Sequence, residues 1–176
     1  MRSLSGLSAL KMRRVWTGDC LFLTCCGHGE MKRGIRMITN EYGIDPYDMP
    51  VIGIDFDGTI VFDAYPKIGD PIPGAIETIN KWFNAGFWIV IHSCRAKEYE
   101  FNLVEWLDEH EVLYHTVNEN LSWRIQKYGG DTRKMSLDIN IDDKNISMLG
   151  ESINEASWVS FDLWIDYIME HRNDNK

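Results

Sequence analysis

The chain has 176 residues, of which 44% are apolar and 12% aromatic, which suffices for one sizeable core but leaves little length for a second domain. Its net charge of −9 is unevenly spread. Residues 1–40 carry seven basic and two acidic side chains (net +5), leaving eleven basic and twenty-five acidic ones (net −14) for residues 41–176. Such an acidic body disfavours nonspecific nucleic-acid binding. No apolar run approaches the roughly 20 residues that cross a bilayer, so we expect a soluble protein without a membrane partner.

Residues 1–40 are expected to be a basic extension, either disordered or the product of a start assigned too far upstream, and residues 41–176 a single domain. A transit peptide is the less favoured alternative. The four cysteines lack the spacing of a disulfide framework, which fits a reducing cytoplasm. Zinc binding is a weaker reading than free thiols, because adjacent cysteines lack the spaced pairs of a structural zinc site; its ligands would be Cys20, Cys25, Cys26 and His28.

Strands and helices are predicted to alternate along the rest of the chain. Residues 51–54 are apolar and rich in β-branched side chains, as expected of a buried parallel strand. A helical apolar pattern opens after Pro71 and Pro73 and ends at Gly86. Further strands are predicted at residues 87–91, 112–117 and 137–141, and further helices at 98–110, 121–128 and 160–171. This order predicts an α/β fold with a mostly parallel sheet, whose ligands bind at the carboxyl ends of the strands.

Two pairs of aspartates lie where predicted strands end. Asp55 and Asp57 belong to the sequence Asp-Phe-Asp-Gly-Thr after the first strand, and Asp142 and Asp143 follow the last. Crowded carboxylates repel one another unless a cation or a proton intervenes. Because the two pairs follow strands of one predicted sheet, they suggest a shared metal site. Gly58 permits the sharp turn that the first pair requires.

Four ordered segments resemble the motifs of the haloacid dehalogenase (HAD) superfamily of phosphatases and phosphotransferases. They are the aspartate loop at 55–59, Ser93 at a strand end, Lys134, and the pair at 142–143. The resemblance covers roughly residues 50–148 and is greatest to small bacterial and phage HAD hydrolases. It implies a three-layer Rossmann-like HAD core with a mostly parallel sheet and no full cap domain, since the intervals between motifs are short.

The resemblance also implies an activity, a magnesium-dependent phosphomonoester hydrolase. Asp55 would be the nucleophile that forms an aspartyl-phosphate, and Asp57 the general acid and then the base. Magnesium prefers oxygen ligands, and here it would take Asp55, the backbone carbonyl of Asp57, and Asp142, with Asp143 just outside these ligands or as an alternate to one of them.

Further side chains are predicted to complete this site. By the resemblance, Ser93 hydrogen-bonds a phosphate oxygen and Lys134 screens the charge of nucleophile and phosphate, with Arg133 and Lys144 as alternatives. Arg95 is expected either to grip phosphate or to lie on the surface. Three residues are predicted to bind substrate: Thr59, which is also expected to fasten the aspartate loop, Arg95 and Asn118.

Without a cap the site should be open, with a short flap at residues 65–69. An open site suits large phosphorylated substrates, or small ones if a second subunit of a homo-oligomer covers the mouth; nucleic acid is expected at most as a phosphorylated end. Two other functions stay open, a phosphotransferase of the same fold and a catalytically idle binding module. Two neighbouring residues, His92 and Cys94, are expected to be packed rather than functional.

Overall fold

The structure, a computed structural model, describes residues 40, 42–145 and 152–172. The proposed zinc ligands, from Cys20 to His28, and nearly all of the basic extension lie outside these residues. The elements alternate in chain order: β1 (Val51–Asp55), α1 (Ala75–Ala85), β2 (Trp88–His92), α2 (Lys97–Glu109), β3 (Thr116–Val117), α3 (Ser122–Tyr128), β4 (Ile139–Ile141) and α4 (Glu155–His171).

The four strands form one parallel sheet in the order β3-β2-β1-β4. The chain builds outward from β1 to β2 and β3, then crosses back to place β4 on the other side of β1. In α/β sheets this reversal marks the crevice where ligands bind. The predicted α/β, Rossmann-like fold class is therefore confirmed. Since Ile54 pairs with Ile141, the residues that follow β1 and β4 emerge side by side.

The core surrounds β1, whose first four residues are all buried because the strand is covered on both faces. Packing requires glycine at position 53, since a Cβ there would collide with the Leu137 side chain. Side chains of β2 and the helices fill the rest of the core, including Ile89, Ile91 and Trp82. None of the helices in the described part of the chain is long and apolar enough to cross a membrane.

Two predicted elements differ from the observed ones by more than two residues at one end. The third strand contains only two residues rather than six, partly because the Leu113 N–H donates to the side chain of Asn80 instead of to a strand. The last helix begins at Glu155, five residues earlier than predicted, because Asn154 and Ser157 form a reciprocal capping box. This helix buries Trp158, Ile165 and Met169, whereas Trp164 is exposed.

Candidate functional site

Three of the predicted metal ligands come together at the carboxyl ends of β1 and β4. Asp55 is the last residue of β1, and Asp142 and Asp143 follow β4 directly. One carboxylate oxygen from each lies within 4.8 Å of the other two. We refer to these three side chains as the carboxylate cluster. Adjacent parallel strands ending at one edge bring residues 87 positions apart into a single ligand set.

Thr59 and Gly58 build the loop that holds this cluster. The Thr59 hydroxyl donates to Asp55 Oδ2 over 3.2 Å and accepts from the backbone N–H of Asp143 over 3.1 Å. Gly58 has φ +82°, and a Cβ there would lie 2.6 Å from an Asp143 oxygen. The predicted turn and loop fastening are therefore present. The predicted substrate contact of Thr59 is not, because its side chain is fully buried.

The electrostatics of the cluster disfavour three ionised carboxylates. Burial, and next the charge of Asp142, raise the pKa of Asp55 to about 7, although hydrogen bonds from Phe56 and Thr59 oppose the shift. The ammonium of Lys144 bonds Asp143, and this bond raises the pKa of Lys144. A cation among the three carboxylates would favour their ionised forms.

Asp57 stands apart from the cluster and is held by Arg95. Both of its oxygens accept from the guanidinium, Oδ2 from Nε at 2.7 Å and Oδ1 from Nη2 at 2.6 Å. Arg95 also donates to the backbone carbonyls of Pro66 and Lys67 and is buried. The surface position expected as one alternative is therefore wrong, whereas the phosphate contact of Arg95 stays a prediction.

Ser93 lies just beyond β2, near the edge where Asp55 ends β1. Its backbone N–H donates to Asn118 Oδ1 over 2.8 Å, and its hydroxyl oxygen accepts from the backbone N–H of Arg95 over 3.1 Å. Asn118 has φ +54°, a left-handed conformation that asparagine tolerates well. The side-chain oxygen of Asn118 therefore positions Ser93 in this structure, whereas it was predicted to contact substrate.

The lysine at the cluster is Lys144 rather than Lys134. Lys134 is exposed and, together with Asn120 and Arg124, lines a cleft that we call the second cleft. Among the described residues it makes no ion pair with the cluster, whereas Lys144 pairs with Asp143. Lys134 lies eight positions before Asp142, and the chain between them is bonded to Asn120, whose side-chain oxygen accepts from the Ser136 N–H.

Two residues next to Ser93, His92 and Cys94, are more exposed than the sequence predicted. Cys94 is exposed, contrary to the packing expected of it. His92 is half-buried, with Nε2 bonded to Asn140 Oδ1 at 2.7 Å.

A contact that the sequence did not suggest comes from α4, where the Trp158 indole N–H donates to the Thr59 carbonyl from 99 positions away. Such a long-range hydrogen bond leaves no periodic signal in a sequence.

A cavity of about 530 Å³ borders the cluster along β4. It shares Asp142 with the cluster and is otherwise lined by Asp138, β4, Asn145 and the middle of α4, where Phe161 and Trp164 contribute. Because β2 and β4 flank β1, this cavity and the Arg95–Asp57 pair lie toward opposite sides of Asp55.

Comparison of the chain with family models and with curated proteins finds no match. It is similar to a solved structure, described as that of a conserved protein coded by a locus from Bacteroides thetaiotaomicron. The two sequences are 28% identical, with a TM-score of 0.53, over 73% of this chain and 93% of the other. This similarity supports the α/β fold and assigns no activity.

Proposed function

We propose that this chain is a magnesium-dependent phosphomonoester hydrolase that acts through an aspartyl-phosphate on Asp55. The observation that carries the proposal is the cluster of Asp55, Asp142 and Asp143 at the carboxyl edge of a parallel sheet. A second carboxylate, Asp57, lies two residues from the nucleophile and is held separately. The resemblance of these segments to the HAD motifs supplies the reaction type.

The donor set fits a hard divalent cation. Carboxylate oxygens are the ligands magnesium prefers, at about 2.1 Å, and an octahedron of that size places its ligand oxygens about 3–4 Å apart. The carboxylate oxygens of the cluster all lie within 4.8 Å of one another, which is compatible with this requirement. When bound, the cation would neutralise nucleophile and phosphate, so that they can approach one another.

The side chains would divide the reaction into two steps. An Asp55 oxygen attacks phosphorus while the bond from phosphorus to the leaving oxygen breaks, and Asp57 gives that oxygen a proton. Asp57 then takes a proton from water, whose oxygen attacks phosphorus and releases phosphate from Asp55. The Ser93 hydroxyl already accepts from Arg95 N–H, so its own O–H can donate to a phosphate oxygen.

The test is hydrolysis of a panel of phosphomonoesters with and without magnesium, together with acid quenching to trap the phosphorylated protein. We expect magnesium-dependent turnover and labelled protein, both lost in Asp55→Asn. The matched control is Asp48→Asn, an exposed aspartate just before the opposite end of β1, which should keep both. Unchanged turnover in Asp55→Asn would refute the assignment.

The same assay separates the alternative functions. If an added alcohol becomes phosphorylated faster than water attacks, the protein is a phosphotransferase. If magnesium binds without turnover of any substrate in the panel, the idle binding module is favoured instead.

A further inference from the structure

Arg95 is buried to an unusual degree for an arginine, with 2% of its side chain exposed. Two of its donors engage Asp57, and others engage the carbonyls of Pro66 at 2.9 Å and Lys67 at 2.8 Å. Burying a charge is costly unless it is paired and hydrogen-bonded, and this one is both. The guanidinium therefore has a defined position, and so does the carboxylate that it holds.

The two carbonyls belong to the flap at residues 65–69. The chain on either side of the flap is tied together, since the Phe62 N–H donates to the Asp70 carbonyl over 3.0 Å. The Tyr65 ring covers the Arg95 guanidinium at 5.4 Å and meets the Tyr99 ring at 6.0 Å. Through Arg95, the flap and Asp57 thus form one connected unit beside the nucleophile.

The hydrogen-bond geometry fixes the orientation of the Asp57 carboxylate. Both of its oxygens accept from the guanidinium fork, which holds the plane of the carboxylate in one orientation beside Asp55. In the proposed reaction the proton acceptor is needed in the second step, when water attacks the aspartyl-phosphate.

We propose that Arg95 is a positioning residue that fixes Asp57, together with the flap, in the orientation that activates water for hydrolysis of the aspartyl-phosphate. This rests on the proposed function. Asp57 removes the water proton, the water oxygen bonds to phosphorus, and the bond from phosphorus to Asp55 breaks with its electrons returning to the carboxylate. Lysine cannot replace Arg95, because a single ammonium offers no planar fork.

The test compares wild type with Arg95→Lys on para-nitrophenyl phosphate, whose good leaving group needs little acid help in the first step. We expect kcat to fall about ten- to a hundredfold, while kcat/KM, which reports the first step, stays within about threefold. KM should fall with kcat, and acid-quenched samples should contain more phosphorylated protein than wild type. A role confined to stability would not produce this split or the accumulation.

The matched control is Arg124→Lys, which disrupts another buried arginine pair, Arg124 with Asp138, beside the second cleft. It should not increase the phosphorylated fraction. If Arg95→Lys folds poorly, Arg95→Ala with added methylguanidinium is the second measurement, and the cation should restore kcat.

The outcomes distinguish the two proposals. Equal loss of kcat and kcat/KM with no accumulation, or no rescue of Arg95→Ala, overturns the role of Arg95 alone. A wild-type protein without phosphatase activity, or labelling that persists in Asp55→Asn, overturns the proposed function and this role with it.

Discussion

At the scale of single residues, Thr59 joins three parts of the molecule. Its hydroxyl connects the end of β1 to the loop after β4, and its carbonyl accepts from Trp158 of α4. All of these hydrogen bonds are shielded from solvent on the Thr59 side, because Thr59 is fully buried. The position of the carboxylate cluster therefore depends on hydrogen bonds between loops as well as on the sheet.

The repulsion within the cluster leads to a first prediction. In Asp142→Asn the pKa of Asp55 should fall toward its ordinary range, because the charge of Asp142 is one of the causes that raise it. Near neutral pH the metal-free protein should be more stable by about 1 kcal/mol, and the gain in melting temperature on adding magnesium should shrink. Thermal unfolding with and without magnesium measures both effects.

The control for this prediction is Glu105→Gln, which removes one charge from an exposed position on α2. It should change neither the stability nor the magnesium effect. An Asp142→Asn protein with an undiminished magnesium shift would place the cation elsewhere.

Gly58 gives a second prediction. Gly58→Ala should cost about 1–2 kcal/mol, because φ +82° disfavours a side chain and the added methyl would press on Asp143. Magnesium affinity should fall as well. Chemical denaturation and magnesium titration measure the two losses. Gly130→Ala is the control, since a Cβ there meets nothing within 4 Å, and it should leave magnesium affinity unchanged.

At the scale of elements, His115 secures the junction between β2 and β3. Its ring Nδ1 accepts from the Ile89 N–H over 2.9 Å, and its backbone N–H donates to the Ile89 carbonyl. The ring lies between Phe83 and Trp88, with centroids 4.6 and 4.7 Å away. This burial lowers the pKa of His115 from 6.5 to about 4.

The lowered pKa sets the sign of a third prediction. Below pH 6.5 the unfolded chain protonates this histidine while the folded protein does not, so its contribution to stability is lost as the pH falls toward 4. The loss should reach about 2 kcal/mol by pH 5. Comparing wild type with His115→Asn, which retains an acceptor for Ile89, isolates it as a difference between two denaturation series. Parallel pH dependences would contradict the assignment.

The sequence predicts an element closely when a local pattern of residues determines where it begins and ends. Residues 51–54 and 75–85 carry strong apolar patterns, and the glycine after α1 marks its end, so these elements were predicted closely. The start of α4 was missed because its capping box uses serine at the third position, where glutamate or glutamine is the usual signal.

The candidate site divides in the same way. Carboxylates that follow apolar strands reveal their common edge, and Asp55, Asp142 and Asp143 do lie together. The pairing of Arg95 with Asp57 spans 38 positions between two loops, and no periodicity encodes such a contact. The sequence likewise could not decide whether Lys134 or Lys144 lies at the cluster.

At the scale of the whole molecule, charge distribution limits the substrates. Residues 41–176 carry a net charge of −14, which repels a polyanion approaching from any distance within the screening length. We therefore predict that kcat/KM for an oligonucleotide with a terminal phosphate rises when salt is increased from 20 to 200 mM. A small phosphomonoester serves as the control and should respond less. A fall with salt would instead indicate phosphate contacts by basic side chains.

The position of β4 has a consequence for how a cation and the fold influence each other. Within the described sheet β4 is an edge strand of three residues, paired on one side to β1, yet two of the three clustered carboxylates follow it directly. Edge strands are among the first parts of a sheet to open. A cation bridging Asp55 to the residues after β4 would hold this edge strand against β1. The rate of amide hydrogen exchange along β4 would then report how much of the metal site is occupied.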